Sequence, residues 1–251
     1  MDNHPIVENM CFSVEMEKDL IKLSRLFKAE IEHEAFFVAA QMAKQWPQFF
    51  FQESPESSRL FPNGIAPIIV NDGKKRVIRP MRYRVRPEFS KEEVPSQYNL
   101  FNARRDSLFD RQTWNRLILK QHGLFVFSHF YEWVEKDHKK KLVRFFPEGR
   151  ELMWAPVLYS QFRSKNNLNF DSFALITDDP PPEILEVGHD RCPLFLKEEQ
   201  IERWLSREGL NFENLQSLLD KKETILYGHE FMPEVTKDGP IQLNLFDFEE
   251  K

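Results

Sequence analysis

Four side chains of complementary chemistry lie far apart in this chain: the thiol of Cys11, the amide of Asn102, the carboxylate of Glu132 and the imidazole of His189. Their flanks are Met10-Cys11, Asn102-Ala103-Arg104-Arg105-Asp106, Phe130-Tyr131-Glu132-Trp133 and Gly188-His189-Asp190-Arg191-Cys192-Pro193. Brought to one place, with Cys11 as the nucleophile, they would make a thiol site carrying its own proton-transfer groups. A thiol attacks only as thiolate and needs a cationic or hydrogen-bonding neighbourhood. A cysteine at a mature N-terminus has a further chemistry. Its α-amine, of ordinary pKa about 7.7–8, is partly neutral near pH 7. It attacks an aldehyde to give a Schiff base, and the thiol closes on the imine carbon as a five-membered thiazolidine. Only an N-terminal cysteine offers a free amine and a thiol on adjacent carbons.

Each residue also has a plain structural reading. An arbitrary cysteine is a small buried hydrophobe. Glu132, inside an apolar run, is either a proton-transfer group held by desolvation or a salt-bridged structural glutamate. Asn102 either orients a substrate or caps a turn. His189 is an acid–base or a satisfied buried histidine. His189 and Cys192 have zinc-ligand spacing, with Cys11 as a third ligand, but no second close pair follows, so no metal is expected. No Gly-x-Ser-x-Gly elbow and no phosphate-cradling glycine loop occurs, and no cofactor is implied.

The elements that must position these groups follow from periodicity. Residues 12–14 read as a short strand. Apolar residues at helical spacing (Leu20, Leu23, Leu26, Phe27, Ile31) predict one amphipathic helix from 15 to about 37. Residues 46–62 read as a partly buried loop. Two runs, 65–70 and 76–85, flank Asn71-Asp72-Gly73 and predict a hairpin. In Arg82-Tyr83-Arg84-Val85-Arg86 strand geometry puts three guanidiniums on one face, where an anion must lie over them: a phosphate backbone or acidic side chains. A short helix is expected at 110–120, strands at 124–127, 130–134, 142–146, 152–159 and 173–177, a helical turn at 182–187, and helices at 198–207 and 213–220. Strands and helices in no regular alternation point to an α+β fold.

At 251 residues, with 41% hydrophobic and 30% charged, the chain suits a globular domain with a sizeable core. Two cysteines make no disulfide scaffold. No apolar run reaches the roughly 18 residues of a membrane span, and the N-terminus lacks a signal peptide's pattern. A cytoplasmic protein is expected. The net charge of −5 argues against indiscriminate polyanion binding, yet residues 74–120 hold 13 Lys and Arg against 5 Asp and Glu. That local field is either a nucleic-acid footprint or a solvated strand face.

The four motifs, in this order, resemble the SRAP family of SOS-response-associated peptidases, or abasic-site processing proteins. Ile65-Ala66-Pro67 is similar to the family's proline-bearing strand and Met81-Arg82-Tyr83 to its Met-Arg-Trp strand. Where the family pattern has Met-Cys-Gly-Arg, this chain has Phe12-Ser13 after Cys11; Tyr83-Arg84 replaces Trp-Gly, Asp106 a glutamate and Cys192 a methionine. The resemblance implies one domain, a bent, barrel-like mixed sheet flanked by helices, over residues 11–235. Residues 1–10 would be a leader absent from the active form, through a start at Met10 or cleavage, and 236–251 a flexible tail. It implies a DNA-damage response enzyme of the nucleoid that crosslinks through Cys11 to the opened sugar of an abasic site in single-stranded DNA. Asn102 would position the sugar, Glu132 shuttle protons and His189 assist at the sugar oxygen. Arg82, Arg84, Arg104 and Arg191 would contact DNA. A cysteine peptidase, acting only on its own leader or more widely, and a non-catalytic single-stranded DNA binder are the alternatives. In the tail, Gln242-Leu243-Asn244-Leu245-Phe246 resembles the peptide by which bacterial repair proteins dock on the β sliding clamp, with Gln242, Leu243, Leu245 and Phe246 as the contacts.

Overall fold

The structure of the chain, a computed structural model, describes residues 13–51 and 57–233. Cys11, the leader and the tail, with the calls made on them, lie outside the described residues. In chain order come β1 (Ser13–Met16), α1 (Leu20–Phe27), β2 (Glu30–Ile31), α2 (His33–Gln45), β3 (Arg59–Leu60), β4 (Ile65–Asn71), β5 (Arg76–Tyr83) and β6 (Asn102–Arg104). Then follow α3 (Gln112–Asn115), β7 (His122–Lys136), β8 (Lys139–Pro147), β9 (Met153–Phe162), β10 (Phe170–Asp178), α4 (Pro182–Val187), β11 (Cys192–Pro193), α5 (Glu198–Ser206), α6 (Phe212–Asp220) and β12 (Tyr227–Phe231).

Five strands close into a ring. β4 pairs antiparallel with β5 and β7, β7 with β9, and β9 with β10. The last seam, β10 to β5, is parallel and short, joining Ser172 to Arg82 and Phe173 to Tyr83. The remaining strands extend this ring: β6 and β11 on β10, β1 and β8 on β7, β3 on β1, β12 on β8 and β2 on β5. The fold is thus the α+β, barrel-like mixed sheet flanked by helices that the motifs implied.

Strand alternation sorts the core into two layers. Ala66, Ile68, Val70, Met81, Phe125, Phe127, Val157, Phe173 and Leu175 fill the ring. Ile69, Ile78, Leu124, Val126, Leu158, Ala174 and Ile176 face outward against α1, α5 and α6 through Leu23, Phe27, Ile201, Trp204, Leu215 and Leu218. Part of the phenylalanine excess sits in the inner layer. Phe125 lies 5.2 Å from Phe127 and 5.3 Å from Phe173, and Phe130 stacks on Phe145 at 5.1 Å. Such ring pairs add directional contact energy to buried area.

Two expectations are corrected. The single helix from 15 to 37 is two helices. Asp19 caps α1, accepting from the amides of Ile21 and Lys22, and Lys28 closes it in the left-handed region at φ 50° before β2 intervenes. The runs 124–127 and 130–134 are one strand, β7, bent by a bulge. Its register with β1 passes from Glu15↔His129 to Met16↔Phe127, leaving Ser128 unpaired.

Candidate active site

That bulge places the central carboxylate. Before it the core-facing residues of β7 are odd-numbered, Phe125 and Phe127; after it they are even, Phe130 and Val134. A one-residue shift turns every later side chain to the other face. Glu132 shares the parity of Phe130 and Val134 and is fully buried. The same bulge marks where β7 leaves β9, after Phe127↔Met153, and takes up β8, from Phe130↔Phe145.

His189 comes from the end of α4. Gly188 stops that helix at φ 104°, a left-handed conformation that glycine adopts without steric cost. The His189 backbone N–H donates to the Ile184 carbonyl at 3.3 Å, and its fully buried ring meets Glu132, Nε2 to Oε2, at 3.1 Å. The approach suits an ion pair in distance, although its angle falls short of a well-formed hydrogen bond. Nδ1 lies 2.7 Å from the Arg191 carbonyl oxygen and 3.3 Å from the Arg191 backbone nitrogen, whose N–H points to it, so its role as donor or acceptor depends on the tautomer. A proton on Nε2 faces the Glu132 carboxylate at this distance. Burial alone pulls the His189 pKa down. The Glu132 charge and contact and the Arg191 carbonyl outweigh it, leaving that pKa above its ordinary value. Glu132 Oε1 is buried with no hydrogen-bond partner among the described residues.

Asn102 opens β6 and is buried. Its Oδ1 accepts from the Tyr83 hydroxyl at 3.3 Å, and Tyr83 is stacked 5.1 Å from Phe173. β6 pairs with β10 at Leu175–Thr177, and β11, three residues past His189, pairs at Thr177–Asp178. The amide and the imidazole thus arrive on chain segments flanking one end of β10. From the other side, β1 aligns Ser13 with Tyr131, next to Glu132.

Cys192, the other thiol, is no competitor. Burial pushes its pKa up to about 12, and its thiol donates to the Asp179 carbonyl at 3.9 Å. Among the described residues no cluster of three or more His, Cys, Asp or Glu could hold a metal ion, and no helix is long and apolar enough to cross a membrane.

The arginines divide. Arg104 is a third exposed and meets Asp106 at 2.7 Å; Arg191 pairs with the exposed Asp179. Surface pairs of this kind exchange partners readily. Arg82 and Arg84 are buried, held within the fold rather than presented on its surface. Arg82 has no exposed side-chain surface and forks onto Glu93 at 2.9 and 3.0 Å, while Arg84 donates to the Val94 carbonyl. Arg86 joins Glu93 at 3.5 Å. The anion over the alternating arginines is an acidic side chain of the chain itself.

Sequence reasoning passed over Tyr83 as an anchor for Asn102, and also Arg59, whose Nε–H donates to Ser13 Oγ at 2.9 Å. Tyr83 lay in a quoted motif. Arg59 carried no signal, because its neighbours are made by strand pairing 46 residues away.

The model of the SOS response associated peptidase (SRAP) family matches residues 10–237. Abasic site processing protein YoqW of Bacillus subtilis (strain 168) is 28% identical over 152 residues, spanning 60% of this chain and 67% of that protein. YoaM of the same organism, also named an abasic site processing protein, is 26% identical over 174 residues, 68% of this chain and 76% of that one. A crystal structure of a Bacteroides thetaiotaomicron protein superposes with a TM-score of 0.67 at 15% identity, covering 89% of this chain and 93% of the other, a likeness of fold.

Proposed function

The chain belongs to the SOS response associated peptidase family, and on that premise we propose that it processes abasic sites in single-stranded DNA by crosslinking to them through Cys11. The observation that carries this is the buried Glu132–His189 pair, Nε2 to Oε2 at 3.1 Å, on a strand whose Tyr131 pairs with Ser13. One residue, Phe12, separates Cys11 from Ser13, so covalent geometry keeps their Cα atoms within about 7 Å.

The reaction needs proton traffic and no oxidant. The sugar hemiacetal opens to its aldehyde as a proton leaves the C1′ hydroxyl and one arrives at the ring oxygen. The Cys11 amine adds to the aldehyde carbon, and loss of water gives the Schiff base. The thiol then adds to the imine carbon while the nitrogen gains a proton, closing the thiazolidine. Glu132 and His189 take up and return these protons, general acid–base work worth roughly 10²–10⁴-fold in rate. Asn102, held by Tyr83, hydrogen-bonds the sugar. The α-amine must be free, so residues 1–10 are absent from the active form.

Incubation with single-stranded DNA bearing an abasic site, run on a denaturing gel, tests the reading. A shifted band that disappears in Cys11→Ala is expected, with intact mass beginning at Cys11. Casein cleavage without a shifted band would replace it with a peptidase, and binding without a shift with a DNA-binding module.

A further inference from the structure

Beside the site, on the face of β1, β3 and β7 turned away from the core, flat groups form a row. The Arg59 guanidinium lies 4.1 Å from the centroid of the Tyr131 ring and 5.0 Å from that of Phe61. Phe61 in turn meets Phe51 edge-on at 5.5 Å. Arg59, Phe61 and Phe51 are all partly exposed. Tyr131 is fixed from below, its hydroxyl donating to Glu15 Oε2 at 2.8 Å.

We infer that Arg59 holds a backbone phosphate of the DNA strand beside the nucleotide that Cys11 attacks, and that Phe61 and Phe51 continue the row as a surface on which bases stack. This rests on the abasic-site reading above. Its first support is position. Arg59 Nε donates to Ser13 Oγ, and Ser13 is two positions along the chain from Cys11, so covalent reach ties the guanidinium to the neighbourhood of the nucleophile. Its second is charge. Where the family pattern has an arginine this chain has Ser13, and β3 returns a guanidinium to that place from a distant part of the chain. With Arg82 and Arg84 committed to the interior, the basic field at the site must come from arginines such as this one. Its third is geometry. The two rings fix the plane of the guanidinium, and a fixed planar fork suits a phosphate better than a mobile point charge. Cations interleaved with aromatic rings are the general means of binding single strands without reading their sequence, each base having a face to stack.

A purely structural Arg59, pinning β1 to β3 and β7, would show in melting temperature and in crosslinking rate. A phosphate contact shows in the salt dependence of binding. The experiment measures fluorescence anisotropy of an undamaged, labelled oligothymidylate against wild type, Arg59→Gln, Arg59→Lys and Phe61→Leu from low to moderate salt. For Arg59→Gln we expect binding weaker by about tenfold and a log–log salt slope shallower by about 0.7, the value for one single-strand phosphate. Arg59→Lys should keep the wild-type slope. Phe61→Leu should weaken binding with the slope unchanged. If Arg59→Gln fails to fold, Arg59→Met, neutral but still able to lie against both rings, takes its place. Equal slopes for wild type and the neutral variant overturn the assignment whatever the melting temperatures. A wild type that binds the oligothymidylate but never crosslinks an abasic strand would sink the crosslinking function and leave the Arg59 comparison readable.

Discussion

Replacing Glu132 by glutamine keeps the buried contact with His189 in shape but removes one of the two bases between which the proton moves. Crosslinking by Glu132→Gln should slow by roughly 10²–10⁴-fold at saturating DNA, with affinity for undamaged DNA unchanged; equal single-turnover rates would contradict the role. The same pair sets a pH dependence. His189 titrates above its ordinary value in the folded chain, so its stabilising contribution is complete below about pH 6.5 and is lost as pH rises through the folded pKa. Melting temperature should therefore fall as pH rises above about 6.5 in the wild type, and fall less in Glu132→Gln. Cys192 gives a simpler test. Its thiol, pushed up to about 12, should escape iodoacetamide at pH 8 in the native protein and react once it is unfolded, as peptide masses would record. The residues that do chemistry were legible because their types are rare and their flanks specific. That Glu132 and His189 meet was not, since it depends on a 3.1 Å contact between segments 57 residues apart.

Strand β5 and the loop after it account for a different role of charge. Arg82→Ala would leave Glu93 only its longer contact with Arg86 at 3.5 Å, and loss of one partner from a largely buried ion pair costs on the order of 3 kcal/mol. We expect a lowered denaturation midpoint for Arg82→Ala and no change in the salt slope of DNA binding; a shallower slope at full stability would restore Arg82 to the DNA surface. The alternation of Arg82, Arg84 and Arg86 was visible in the sequence. What faces them was not, because Glu93 arrives through a loop without periodicity. Periodicity failed in a related way at residues 15–37. Apolar spacing runs on through Lys28, where the chain turns left-handed without the glycine or proline that usually marks such a break. In β7 the bulge at Ser128 reads as a gap between two strands, although pairing runs continuously past it. Hairpins and helices bounded by strong turn signals, such as β4–β5 and α4, were found close to their observed limits.

At the scale of the whole chain, residues 236–251 lie outside the described residues, and we propose that they form a tail that docks on the bacterial β sliding clamp. A peptide spanning residues 239–251 should bind the clamp, and its Leu245→Ala, Phe246→Ala version should not; equal binding by both, or none, rejects docking. The barrel's closure has a consequence for how the protein comes into being. The seam between β5 and β10 joins residues ninety positions apart through two residue pairs, and it is β10 that brings in Asn102 and the segment after His189. Long-range parallel pairings form late, because loop closure precedes any contact energy they return. On the proposed crosslinking role, a chain still emerging from the ribosome has Cys11 long before β10 and His189 are made. Cys11 would then gain Asn102 and His189 as neighbours only when the ring shuts, so a half-synthesised copy would lack part of its site. Refolding experiments should find recovery of crosslinking lagging behind recovery of secondary structure.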